Sequence, residues 1–165
     1  MESRVRQLIC CLAVVLLAAC SQTRVPVTEP GFDLDYSRLS GPLGALAQTE
    51  RDTVRDTIEL IKKGEHTLAL NRLTALKDKN PENSSLHIMA SYALLQAGNL
   101  AGAFEEAEAA HETRDGNGAY RCWFLGKVAS ITGNKDVLER EIAHLRRSGE
   151  MVAQLRELEE EIMRE

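Results

Sequence analysis

Three glycines recur at an almost constant spacing, and this period constrains the fold more than any other feature of the chain. Gly64, Gly98 and Gly133 lie 34 and 35 residues apart, each between two stretches whose apolar residues recur every three or four positions. Glycine readily adopts the left-handed conformation that ends many helices. Other turn-forming segments alternate with these glycines, at residues 80–84, 114–118 and 146–150. Two alternating series of breaks predict repeated helix–turn–helix units and an all-α chain.

Small residues recur within the units 50–83, 84–117 and 119–152. The eighth position is occupied in turn by Thr57, Ser91 and Gly126, and the middle unit has alanine at its twentieth and twenty-seventh positions. This pattern resembles the tetratricopeptide repeat family, and the third unit also has the family's Leu-Gly pair. The first unit departs most, with Thr53 and Asp56 where large apolar residues belong. The resemblance implies a short α-solenoid of about three repeats; an irregular helical bundle is the alternative.

The second helix of the middle unit presents alanine where a helix usually presents larger apolar residues. Ala103, Ala107 and Ala110 occupy one helical face, while Glu105, Glu106 and Glu108 lie between them. Small residues allow two helix backbones to approach closely, and dispersion contacts then replace the missing side-chain area. We therefore expect a tightly packed hairpin with the three glutamates on a solvated face.

A final amphipathic segment follows the third unit. Its apolar residues are spaced by four and three positions, at Met151, Leu155, Leu158 and Ile162. Terminal repeats need a helix with a polar outer face, so residues 150–164 are predicted to form a capping helix. The alternative is a dimer seam, although barely two heptads are present.

The first twenty residues have the features of a bacterial lipoprotein signal. Arg4 and Arg6 precede an apolar run from Leu8 to Ala19, whose twelve residues rise about 18 Å as a helix, against roughly 30 Å of hydrocarbon. A basic start and a short apolar run are typical of a cleaved signal at residues 1–19. Residues 17–20, Leu-Ala-Ala-Cys, resemble the lipobox, which implies cleavage before Cys20 and acylation of its thiol and amino group. An ordinary cleaved signal is the alternative.

Several acyl chains hold a protein stably on a bilayer, so the predicted anchor makes the membrane a partner. Ser21 follows the cysteine, and by resemblance to enteric lipoproteins this implies the outer membrane, facing the periplasm. The inner membrane is the alternative. Residues 20–41 contain two of the four prolines and show no helical period, so they are predicted to be a lipidated cysteine and flexible tether. Residues 42–165 are then the helical domain.

Charge and residue spacing argue against several classes of function. Residues 1–19 carry a net charge of +1, so the −5 of the chain leaves −6 on the remainder, which disfavours nucleic acid as a partner. The four histidines lie in different predicted helices without ligand spacing, so no metal or other cofactor is expected. Cys122 is expected to be a buried structural thiol, because His87 would be about 10 Å away. No catalytic constellation is recognised, and the chain is interpreted as not an enzyme.

The first helices of the three units are expected to line a groove. By resemblance to stacked repeats, their concave-facing residues are Val54, Ile58, Ile61, Ile88, Tyr92, Leu95, Tyr120, Trp123 and Lys127. A contiguous apolar and aromatic lining usually marks an interaction site. The alternative is that the chain covers its own groove, with Phe32, Leu34 and Tyr36 of the tether lying in it.

These features predict a lipid-anchored, non-catalytic scaffold that binds a protein or peptide partner at the bacterial envelope. A self-associating envelope component, a homodimer through the C-terminal helix, is the second hypothesis. The third is a glycan-binding accessory of cell-wall enzymes, which is disfavoured by the single tryptophan.

Replacing Cys20 by serine tests the predicted processing. Without a thiol to acylate, the chain should remain an uncleaved precursor, whereas the wild-type protein should partition into detergent. Intact mass spectrometry distinguishes these forms. A wild-type chain with a free amino terminus beyond residue 20 and no acyl mass would contradict the anchor.

Overall fold

The computed structural model describes residues 31–116 and 118–163, and within these ranges the chain is all-α, as predicted, without strands. A 3-10 turn at Tyr36–Leu39 precedes eight helices. They are α1 Ser40–Gly44, α2 Gln48–Lys62, α3 His66–Lys77, α4 Ser84–Gln96, α5 Leu100–Glu112, α6 Gly118–Thr132, α7 Lys135–Ser148 and α8 Val152–Ile162. The predicted signal and Cys20 lie outside the described residues.

The three regularly spaced glycines end the first helix of each predicted pair. Gly64, Gly98 and Gly133 have positive φ angles of 76°, 77° and 74°. The amide of the next residue closes the turn at each glycine; Asn99, for example, donates to the carbonyl oxygen of Leu94 over 2.9 Å. This bond satisfies a carbonyl that the helix end would leave without a partner. The glycine period therefore sets the turns, as expected from the sequence.

Consecutive helices pack on one another along the domain. The pairs α2–α3, α4–α5 and α6–α7 form three hairpins, and α3–α4 and α5–α6 join neighbouring hairpins. At one end α1 packs on α4, and at the other end α8 packs on α6 and α7. The superhelix of the tetratricopeptide family stays a prediction.

The alanine face of α5 is buried in the middle hairpin. Ala103, Ala107 and Ala110 are at most 1% exposed. From the facing helix, the Ser91 hydroxyl donates a hydrogen bond to the carbonyl oxygen of Ala103 over 2.6 Å. Such a bond between a short side chain and the opposite backbone requires the helices to lie close together. The alanines therefore mark close packing, as predicted.

The C-terminal helix packs against the third hairpin at a glycine. A Cβ atom added to Gly126 would lie 2.8 Å from Leu158 Cδ1, so α8 can approach α6 only because this position lacks a side chain. Leu158 is fully buried, and Met151, Leu155 and Ile162 are partly buried against the same core. The apolar residues of the predicted seam thus contact their own domain, which favours a capping helix over a dimer seam.

The expected position of Glu106 on a solvated face is wrong. Its side chain is 22% exposed, forms an ion pair with Lys77 of α3, and lies 2.8 Å from His87 Nδ1 of α4 at hydrogen-bonding distance. Burial alone would raise the pKa of the Glu106 carboxyl, but His87 and Lys77 lower it below its usual value. Because Lys77 belongs to the first hairpin and Glu106 to the second, their ion pair joins two hairpins.

The predicted start of the domain at Pro42 also needs correction. Leu34 and Leu39 of the proposed tether are buried, at 5% and 0% exposure, within the same hydrophobic core as the hairpins. Two leucines, a phenylalanine and a tyrosine between residues 32 and 39 supply apolar surface that a Gly/Ser linker would lack. Residues 31–41 therefore belong to the packed domain.

Replacing Ala103 by leucine should overpack the middle hairpin. We expect a loss of about 1–3 kcal/mol in the free energy of unfolding, because the facing backbone leaves no room for three more carbons. Glu105→Leu, at an exposed position of the same helix, is the matched control and should change this free energy by less than about 0.5 kcal/mol. Urea denaturation measures both. Equal, small effects would contradict the close packing.

Candidate interaction groove

The predicted groove residues do lie on the first helices of the hairpins, but they are not open to solvent. Ile58 is half-buried and the remaining eight are buried: Val54, Ile61, Ile88, Tyr92, Leu95, Tyr120, Trp123 and Lys127. The expectation of an exposed apolar lining is therefore corrected. The structure has the arrangement considered as the alternative, in which the chain covers its own groove.

Residues 31–39, here called the cover segment, occupy the groove. The ring of Phe32 lies edge-on to three aromatic rings of α4 and α6, with centroids 5.6 Å from Tyr92, 5.8 Å from Trp123 and 6.1 Å from Phe124. Edge-to-face pairs at these distances are favourable beyond the area that they bury. Phe32 is thus the aromatic anchor of the cover segment.

Polar side chains of α4 and the residue before it fix the backbone of this region. The Tyr92 hydroxyl donates to the carbonyl oxygen of Phe32 over 3.3 Å, and the Ser85 hydroxyl donates to that of Leu39 over 3.1 Å. Beyond the cover segment, the Asn83 side-chain amide donates to the carbonyl oxygen of Pro42 over 2.8 Å. These hydrogen bonds attach the backbone of residues 32–42 to α4 and to the residue before it.

Lys127 connects the cover segment to the C-terminal helix. Its ammonium lies 5.3 Å from the centre of the Phe32 ring. It also forms ion pairs with Glu157, at 2.9 Å, and with Glu161, although its side chain is only 5% exposed. A buried ammonium needs such partners, because an unpaired charge is costly away from water. Both ends of the domain therefore meet at this groove residue.

Burial keeps the phenol groups of two tyrosines uncharged, Tyr36 in the cover segment and Tyr120 beside it. Burial, the largest effect, together with nearby Tyr92 and acidic groups, raises the pKa of Tyr36 to about 12. Burial likewise raises the pKa of Tyr120 above its usual value. Their phenol groups therefore stay protonated at physiological pH, which is compatible with an apolar groove.

The cover segment leaves part of the groove unfilled. A cavity of about 400 Å³ remains beside it, lined by Asp33, Leu34, Tyr36, Ile61, Lys62, Tyr92 and Gln96. In addition, the buried indole nitrogen of Trp123 has no hydrogen-bond partner within residues 31–116 and 118–163. A buried donor without an acceptor costs about 1–3 kcal/mol. The cover segment thus neither fills the groove completely nor gives the Trp123 indole nitrogen a hydrogen-bond acceptor.

A second cluster of functional side chains was missed by the sequence analysis. His111, Cys122, Glu141 and His144 converge where α5, α6 and α7 meet. The expectation of scattered histidines is therefore wrong for two of the four, and Cys122 lies beside His111, not His87. The spacing of Glu141 and His144 by three residues was the available signal, since it places both on one helix face.

Comparison of the chain with protein-family models, with curated proteins and with solved structures found no match. Within residues 31–116 and 118–163, the chain is all-α and forms three consecutive helical hairpins. Its resemblance to tetratricopeptide repeats rests on the residues quoted above and stays a prediction.

Removing the aromatic anchor should open the groove. Phe32→Ala is expected to shift the fluorescence of Trp123, the single tryptophan, to longer wavelength because its covering ring is lost. The free energy of unfolding should fall by about 2 kcal/mol, since Phe32 is half-buried and a fully buried phenylalanine contributes more. Phe104→Ala, at a half-buried position on α5, is the control and should leave the emission unchanged. An unchanged spectrum for Phe32→Ala would contradict the described cover.

Proposed function

We propose that this protein is a non-catalytic, lipid-anchored scaffold whose groove binds an extended segment of a partner protein at the bacterial envelope. The observation that carries the proposal is the position of residues 31–35, which have no regular secondary structure and place Phe32 among Tyr92, Trp123 and Phe124. A groove that holds such a segment of its own chain has the shape and chemistry to hold one from another protein.

Two further features support a replaceable occupant. The unpartnered Trp123 indole nitrogen and the cavity beside Tyr36 offer a hydrogen bond and contact area that the cover segment does not use. A partner peptide with an acceptor near Trp123 would gain both. We therefore propose that partners present an aromatic residue in an extended peptide and displace residues 31–36.

The proposed anchor would place this groove close to the membrane. Ten residues separate Cys20 from Gly31, and such a stretch spans at most about 36 Å when fully extended. Among the described residues, no helix has both the length and the apolarity to cross a bilayer. The outer membrane with the domain facing the periplasm is the proposed location, on the strength of the lipobox resemblance.

The alternatives have less support. The apolar residues of α8 are used within the domain, which weakens the proposed homodimer seam. The chain has a single tryptophan and so offers little aromatic surface for stacking on sugars, which weakens the glycan-binding hypothesis.

A peptide supplied in trans tests the groove. A labelled peptide with the sequence of residues 31–39 should bind the full-length Phe32→Ala chain more tightly than the wild-type chain, whose groove is already filled. Fluorescence anisotropy measures the affinity.

Adding Trp123→Ala to the Phe32→Ala chain should weaken peptide binding by ~2 kcal/mol, about 30-fold, as expected for an aromatic hot spot. The control is the same peptide with Phe32→Ala, which should not bind. Equal binding to both chains, or none to either, would contradict the proposal.

Crosslinking in intact envelopes would then identify the partner. A photoreactive residue in place of Tyr92 should yield a protein adduct that increases in the Phe32→Ala background. The same residue in place of exposed Glu105 should not yield it. An adduct formed equally at both positions would contradict binding in the groove.

A further inference from the structure

Four side chains with metal-ligating atoms meet on the face of α6 that packs against α5 and α7. His111 comes from the last turn of α5, Cys122 from the first turns of α6, and Glu141 and His144 from one face of α7. Their ligating atoms all lie within 4.8 Å of one another. Three helices from two hairpins therefore supply one compact set of nitrogen, sulfur and oxygen donors.

The distances inside this cluster suit a tetrahedral ion. His111 Nε2 lies 3.6 Å from Cys122 Sγ and 3.2 Å from Glu141 Oε2. Bond lengths of roughly 2.0–2.3 Å require donors about 3.3–3.7 Å apart in a tetrahedron. Two of the edges are thus already close to the required length. His144 is exposed, so its ring can rotate to shorten the remaining distances.

The Glu141 side chain is buried and directs one carboxylate oxygen towards His111. It is 1% exposed, and Oε1 accepts a hydrogen bond from Arg140 Nε over 2.8 Å. The other oxygen, Oε2, has no aligned hydrogen bond from any residue of the described ranges, although it faces His111. Glu141 is therefore a carboxylate with one oxygen oriented by arginine and one directed into the cluster.

The thiol completes the donor set. Cys122 is a buried free cysteine whose sulfur lies 3.6 Å from His111 Nε2. A metal ion replaces the thiol proton: the S–H bond breaks, a metal–sulfur bond forms, and the proton leaves to solvent. The metal ion can enter, and the proton can leave, at the exposed edge of the cluster beside His144.

We propose that His111, Cys122, Glu141 and His144 form a zinc site that joins the second and third hairpins. The mixture of imidazole, thiolate and carboxylate suits Zn²⁺ and disfavours Mg²⁺ and Ca²⁺, which prefer sets made of oxygen alone. One thiolate and one carboxylate neutralise the two charges of the ion, as a partly buried site requires. The site is independent of the proposed groove function.

Cobalt substitution tests this site directly. The full-length chain carries Cys10, Cys11 and Cys20 outside the described residues, so these are changed to serine, which leaves Cys122 as the only thiol. The protein is purified in detergent, treated with a chelator and titrated with Co²⁺. We expect equimolar binding, with the visible bands of tetrahedral cobalt and a thiolate-to-cobalt charge-transfer band, and displacement of both by Zn²⁺.

Two variants and one control assign the ligands. Cys122→Ser should abolish the charge-transfer band, and His144→Gln should weaken cobalt binding by at least about 10-fold. His144 is exposed, so this second variant tests the site even if Cys122→Ser fails to fold. His87→Gln changes another histidine paired with a glutamate and should leave the affinity unchanged. Absence of the charge-transfer band from a chain with helical circular dichroism would overturn the proposal, as would unchanged affinity in His144→Gln.

Discussion

The Ser91 hydroxyl reaches across the middle hairpin to the carbonyl oxygen of Ala103, 2.6 Å away, because both helices present small residues to each other. This close approach holds α4 and α5 together as the middle hairpin, on which the neighbouring hairpins pack. Glu106 of α5 forms an ion pair with Lys77 and contacts His87. The same principle operates at Gly126, where the missing side chain admits Leu158 of α8. Tight packing at small residues thus replaces the area that larger side chains would bury.

The first helices of the hairpins pack closely on their partner helices with one side, and apolar residues line their other side. The first helices carry Tyr92 and Trp123 on that side, and an exposed lining of this kind would be unfavourable in water. The cover segment removes it from solvent with Phe32 and buries Leu34 and Leu39 as well. Because the segment is covalently attached, it competes at a high effective concentration. A partner of the proposed kind would have to supply interactions that the segment lacks, and a hydrogen bond to the Trp123 indole nitrogen is the clearest of these.

Helix α6 carries both proposed sites on different faces. Trp123 lies in the groove beneath Phe32, whereas the preceding residue, Cys122, contacts His111 on the side of α5 and α7. Consecutive residues of a helix point about 100° apart, so neighbouring positions can serve separate surfaces. An ion held by Cys122 would fix α6 against α7, and α6 forms part of the groove floor. The proposed zinc site would thus stabilise the hairpin that presents Trp123.

Sequence alone determined the features that depend on local backbone geometry and periodicity. The glycine period placed the turns, because left-handed helix ends favour glycine whatever surrounds them. The spacing of Ala103, Ala107 and Ala110 predicted a closely packed face, and the groove lining followed from the resemblance.

Tertiary structure decided what depends on helix rotation and on contacts between distant residues. Helical spacing places Glu106, three residues from Ala103 and four from Ala110, beside the alanine face and Glu105 away from it. Only the position of Lys77 makes Glu106 an ion-pair partner. The sequence around Phe32 is equally compatible with a free tether, and only the packing of its ring against α4 and α6 shows that it belongs to the domain. His111 and His144 are 33 residues apart in the sequence, and they share a cluster because two hairpins pack at one particular angle.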